Sequence, residues 1–112
     1  MALPHASSGD IVNVRPLGSA IADTPSSAFL REPHIEVMRL VLPAGKEVPE
    51  HDVRGPITLQ CLEGRLEVRA HGADRPLAAG ELMYLASGVP HALRAIEDTS
   101  VLVTIARASS NS

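Results

Sequence analysis

The 112 residues fit one domain with one hydrophobic core, and a formal charge of −3 with acids and bases interspersed excludes the basic footprint that phosphate backbones and anionic lipids require, so neither nucleic acid nor a membrane is an expected partner. Phe29 and Tyr84 are the only Phe and Tyr and Trp is absent, which makes the core aliphatic and removes the platforms on which single-stranded nucleic acids stack. Cys61, the single cysteine, excludes an internal disulfide and any multi-cysteine metal centre, and suits a reducing cytoplasm.

Residues 1–10 and 108–112 read as loose tails around one domain spanning 11–107, and the first residues lack the basic start and apolar run of a signal peptide. Nine prolines and eight glycines leave few gaps long enough for a helix of three turns. The intervening segments are short and rich in Val, Ile and Leu, which favours strands. In chain order these are expected at 11–14, 35–42, 57–62, 65–70, 82–85, 91–95 and 100–107, with a further short strand between 18 and 23.

Between the strands at 57–62 and 65–70 stand Glu63 and Gly64, a pair that predicts a tight two-residue β-hairpin because Gly accepts positive φ. In the second of these strands Arg65, Glu67 and Arg69 alternate with Leu66, Val68 and Ala70, the pattern of a strand with one wet face and one buried face. In the first, Ile57, Leu59 and Cys61 share the expected inner face. Leu82 and Tyr84 are apolar on the face opposite Met83 and Leu85. A barrel buries only its inside, so the outer patch calls for a cover: a homodimer is the expectation, and folding of the N-terminal segment over the patch is the alternative. An all-β sandwich and an all-β barrel are equally compatible with this periodicity.

Motif spacing separates the two. From Gly45 the chain runs Gly-Lys-Glu-Val-Pro-Glu to His51, continues through Val53 and Ile57, and reaches Gly64; from Gly80 it runs to Gly88, Val89, Pro90 and His91. This resembles the two-motif signature of the cupin superfamily. Gly45, His51 and Gly64 match the first motif, and Gly80, Gly88 and His91 the second, with Ala86 where a proline is usual. The resemblance implies an antiparallel jelly-roll barrel, the double-stranded β-helix, with His51 and His91 meeting at one interior pocket.

In metal-dependent cupins, two His and a Glu from the first motif and the His of the second bind one divalent ion. By spacing, Val53 replaces the second His and Ile57 the Glu, so the resemblance leaves only His51 and His91 as metal ligands. That is short of the three protein ligands of catalytic zinc and of a two-His-one-carboxylate iron site. No cofactor is expected beyond at most one divalent transition metal. Glu50 and Asp52 flank His51 and are expected to face outward, while Cys61 reads as a small buried hydrophobe. His5, His34 and His71 read as solvated, and so does Arg54 in its Gly-Pro turn.

Two functions follow from the resemblance. The first is a small-molecule-binding module whose pocket is lined by His51, His91, Val53, Ile57, Leu59, Met83, Leu85 and Leu93. The second is a metal-dependent enzyme of dioxygenase, isomerase or lyase type, in which His51 and His91 hold the ion while water or substrate completes its shell, or one histidine acts as a general base without metal.

Overall fold

The computed structural model describes residues 5–107. Nine strands follow a short 3-10 helix at Gly18–Asp23: β1 (Ser27–Glu32), β2 (Ile35–Leu42), β3 (Glu47–His51), β4 (Ile57–Glu63), β5 (Arg65–Ala70), β6 (Ala73–Ala78), β7 (Leu82–Leu85), β8 (His91–Ala95) and β9 (Thr99–Ala106). They form two antiparallel sheets, one in the order β1-β2-β9-β4-β7 and the other β3-β8-β5-β6. The fold is the antiparallel jelly roll.

Alternation dictates what lies between the sheets. Ile57, Leu59 and Cys61 of β4, beside Val101, Val103 and Ile105 of β9 in the same sheet, face Leu66 and Val68 of β5 and Leu93 and Ala95 of β8, all buried. Each fully buried Leu or Val contributes roughly 1.5–3 kcal/mol over an exposed one. With no aromatic ring in this cluster, the interior is filled by branched aliphatic side chains.

Several sequence expectations are corrected. Residues 11–14 form no strand, and 18–23 form the 3-10 helix instead of one. β1, β3 and β6 were not expected. β3 and β6 are edge strands carrying Pro49 and Pro76; a proline has no N–H to give a ladder, so edges tolerate it while the sequence pattern of a strand is spoiled.

The expected hairpin at Glu63 and Gly64 is also corrected, because β4 and β5 lie in different sheets. Gly64 is a corner between the sheets. It takes φ +81°, and a Cβ there would sit 2.2 Å from the Asp98 carbonyl oxygen and 2.6 Å from Thr99 Oγ1. The tight hairpin joins β5 to β6: Ala70 pairs with Ala73 across His71 (φ 52°) and Gly72 (φ 73°), two successive positive φ values that mark a type I′ turn.

The segment before the 3-10 helix lies across the outside of the five-stranded sheet. Ala6 N–H donates to the Phe29 carbonyl at 2.8 Å. Arg39, on the outer face of β2 and 5% exposed, donates through Nη2 to the carbonyls of Asn13 (3.4 Å) and Arg15 (3.0 Å). A register shift between Cys61 and Glu63 turns Glu63 outward beside Ser100. Its carboxylate accepts from Leu17 N–H (2.6 Å), Gly18 N–H (3.0 Å) and the Ser100 hydroxyl (2.8 Å). Farther along the same face Leu82 and Tyr84 remain 55% and 62% exposed.

Burial pushes the Glu63 carboxyl upward, but hydrogen bonds from Leu17, Ser100 and Gly18 and the charge of Arg39 outweigh it and hold the pKa below the ordinary 4.5. A depressed folded value means that this stabilisation is complete above the ordinary pKa and is lost as pH falls through the folded one. The thermal midpoint is therefore expected to fall below about pH 4.5, and Glu63→Gln to flatten that fall. An acid slope identical in wild type and variant, measured by scanning calorimetry, refutes the assignment.

Candidate functional site

The site is built by an irregularity in β3. Val48 pairs with Leu93 and His51 with His91, so Pro49 and Glu50 together occupy the place opposite Ala92. This is a β-bulge of one extra residue. Without it, strict alternation from inward-facing Val48 would place His51 on the outer face. With it, His51 and His91 stand directly opposite on the inner face, ring centroids 4.4 Å apart and planes tilted by 53°. His91 is 1% exposed, whereas His51 is exposed and forms the lip.

Each ring is held through its Nδ1. His51 Nδ1 lies 3.0 Å from the Pro49 carbonyl, and His91 Nδ1 lies 3.0 Å from the Val89 carbonyl. A carbonyl oxygen can only accept, so each Nδ1 carries the proton and each neutral ring leaves Nε2 as a bare acceptor. The pair thus offers two lone pairs, one on each ring. It suits a hydrogen-bond donor such as a hydroxyl, ammonium or amide N–H, and does not suit an anion.

Two loops place these histidines at one end of the barrel. Residues 52–56 lead from His51 to Ile57, and residues 86–90 lead from Leu85 to His91. They are tied together by Gly88 N–H to the Val53 carbonyl (2.9 Å) and Gly55 N–H to Ser87 Oγ (2.8 Å). The opposite lip is the inward row Glu36, Ile105, Ile57, Leu85, each paired with the next across β2, β9, β4 and β7. Of the expected pocket residues, Ile57 and Leu85 lie in this row at the histidine end. Leu93 and Leu59 lie one inward step deeper in the buried core, and Val53 and Met83 are partly buried against it.

Cys61 is fully buried near the other end, its Sγ 3.4 Å from the Glu63 carbonyl. Burial pushes its thiol up despite that hydrogen bond, which opposes the thiolate a metal needs. Glu50 and Asp52 are exposed. Among the described residues no group of three His, Cys, Asp or Glu side chains is arranged to hold a metal. Two imidazole nitrogens, with Val53 and Ile57 offering no lone pair, do not fit a tightly held resident ion. His5, His34 and His71 are exposed.

Sequence reasoning missed Glu36, Arg31 and Arg107. Glu36 is 3% exposed and heads the inner row. Its Oε2 accepts from Arg31 Nε (3.1 Å) and Nη2 (2.9 Å), and its Oε1 from Arg107 Nη2. A signal existed: Glu36 shares its alternation face with Met38, Leu40 and Leu42, so a carboxylate begins an otherwise apolar row. Burial pushes the Glu36 carboxyl up, but hydrogen bonds and charge from Arg107 and Arg31 prevail and hold it below its ordinary value.

Comparison with known proteins bears on this architecture. The family model described as "Cupin domain" matches residues 38–106. No curated protein matches the chain. Among solved structures, a conserved protein of unknown function (SPY1581) from Streptococcus pyogenes aligns over 98% of this chain and 100% of its own, with TM-score 0.77 and 20% identity. An RmlC-like cupin from Desulfovibrio desulfuricans covers 91% of this chain and 97% of its own, with TM-score 0.68 and 26% identity. Salicylate 1,2-dioxygenase from Pseudoaminobacter salicylatoxidans covers 72% of this chain but 25% of its own, with TM-score 0.68 and 20% identity.

Proposed function

This chain belongs to the cupin family, matched over residues 38–106, and from that premise we propose that it is a small-molecule-binding cupin that receives a hydrogen-bond donor of its ligand at the paired Nε2 atoms of His51 and His91. The observation that carries this reading is the commitment of both Nδ1 atoms to main-chain carbonyls. It leaves two acceptors, one on each ring, at one barrel end. Around them Ile57, Leu85 and Leu93 supply apolar contact, the usual combination of a few polar groups on an aliphatic surface.

The second reading, a metal-dependent enzyme, draws on the same bare nitrogens, since Nε2 is also the atom that would bind an ion. The likeness to a dioxygenase at 20% identity concerns the fold. Such an enzyme would need further ligands from water or substrate, because Val53 and Ile57 provide none.

Long-range nitrogen-15 spectra of the imidazoles test the proposal. Both neutral rings are expected to show the Nδ1–H tautomer, and a hydroxyl-bearing ligand to perturb Nε2 of both. Metal content, measured on tag-free protein beside a His51→Ala/His91→Ala variant, is expected to be the same low background in each. Nε2–H tautomers would overturn the acceptor assignment. Near-stoichiometric metal in the wild type alone would overturn the binding module in favour of the enzyme.

A further inference from the structure

The charged trio opposite the histidines is not explained by packing. Glu36 stands in a row whose other members, Ile105, Ile57 and Leu85, are buried and apolar. Ion pairs inside a core rarely stabilise more than apolar side chains of similar size, so core packing gives no reason for a carboxylate there. Two cations on one anion also leave a net positive charge. The Arg31 and Arg107 side chains are 59% and 45% exposed, so that charge is presented to solvent. Glu36 engages two N–H groups of Arg31 and one of Arg107, of the five that each guanidinium carries. The carboxylate therefore holds two guanidinium groups side by side without exhausting their donors.

The trio and the histidine pair stand on different sheets at the same end of the barrel, since residues 52–56 and 86–90 lead between the histidine strands and Ile57 and Leu85 of the row that Glu36 heads. Arg107 is anchored there by its N–H to the His34 carbonyl (2.8 Å), next to Ala106, whose N–H donates to the Pro56 carbonyl (3.0 Å). One lip is a cation with N–H donors and the other is a pair of neutral acceptors.

We propose that Arg31, Glu36 and Arg107 form the second wall of the ligand site, and that the site takes a small hydroxylated organic acid, its carboxylate toward the two guanidinium groups and its hydroxyl donating to an imidazole Nε2. This rests on the reading of His51 and His91 as a hydrogen-bond-accepting site and adds the charge of the ligand to it.

Three matched probes separate the two claims: 3-hydroxybutanoate, its uncharged analogue 3-hydroxybutanamide, and butanoate, which lacks the hydroxyl. Binding is followed through the imidazole nitrogen signals and by backbone amide titration. The hydroxy acid is expected to bind roughly five- to tenfold more tightly than the amide, with the gap closing as salt is raised. Both hydroxylated probes shift the His51 and His91 signals, and butanoate does not. Removing only the arginines would strand a buried carboxylate, so the variant is Arg31→Gln/Glu36→Gln/Arg107→Gln, in which the preference for acid over amide disappears while amide binding persists.

Equal affinity for acid and amide in the wild type, with imidazole shifts intact, overturns the arginine wall and leaves the histidine site standing. No imidazole shift from any probe overturns both. Should the triple variant fail to fold, the acid-to-amide ratio and its salt dependence in the wild type decide the matter alone.

Discussion

Gly64→Ala is expected to destabilise the protein by about 3 kcal/mol or more, whereas Gly45→Ala is expected to cost about 1–2 kcal/mol. Both glycines have positive φ, +81° and +85°, so the conformational penalty of an L side chain is shared. They differ in surroundings. A Cβ on Gly45 meets nothing within 4 Å, while one on Gly64 would lie 2.2 Å from the Asp98 carbonyl oxygen and 2.9 Å from Thr99 Cα. Those atoms are main chain and can yield only if the corner between β4 and β5 opens. Denaturant unfolding of the two variants measures the contrast, and equal losses would show that the corner is not tightly closed.

The second large effect concerns strand deletions. Removing one residue from a paired strand normally turns every later side chain to the other face. Deleting Leu102 from β9, which is hydrogen-bonded to both β2 and β4, is expected to leave no folded protein because Val103 and Ile105 would turn outward. Deleting Glu50 is expected to be tolerated. Pro49 would then pair alone with Ala92, His51 would stay opposite His91, and the bulge would close. What the deletion changes is the place of the Pro49 carbonyl that fixes the His51 ring, which moves from two positions before His51 to one. Ring-to-ring nuclear Overhauser contacts should therefore survive while the His51 tautomer is released and that of His91 is not. Loss of the contacts would mean that the bulge does not set the register.

How much of this was legible beforehand depends on which residues carry the signal. β4 and β5 follow from alternation, because their inner residues are aliphatic and their outer ones largely polar, while β8 and β9 follow from short runs rich in aliphatic residues between turns. β3 and β6 were hidden by the proline and charge that edge strands carry. Glu63 and Gly64 satisfied every local rule for a hairpin, yet the deciding contact is with Asp98 and Thr99, more than thirty residues away, and local rules do not reach that far. The meeting of His51 with His91 was legible only through motif spacing, since plain alternation would have sent His51 outward. Glu36 was visible in the alternation of β2, but the two guanidinium groups around it come from β1 and from beyond β9, and no pattern within one segment joins them.

Arg39 and Glu63 hold the N-terminal segment by the oxygens of Asn13 and Arg15 and the amides of Leu17 and Gly18. None of these bonds involves a side chain of the segment itself. These bonds consequently place no demand on the outward groups of that stretch: Ile11, 97% exposed, is free to diverge or to be rewritten without breaking any of them. The exterior of one wall of the barrel can acquire a new chemical character while the interior stays as it is.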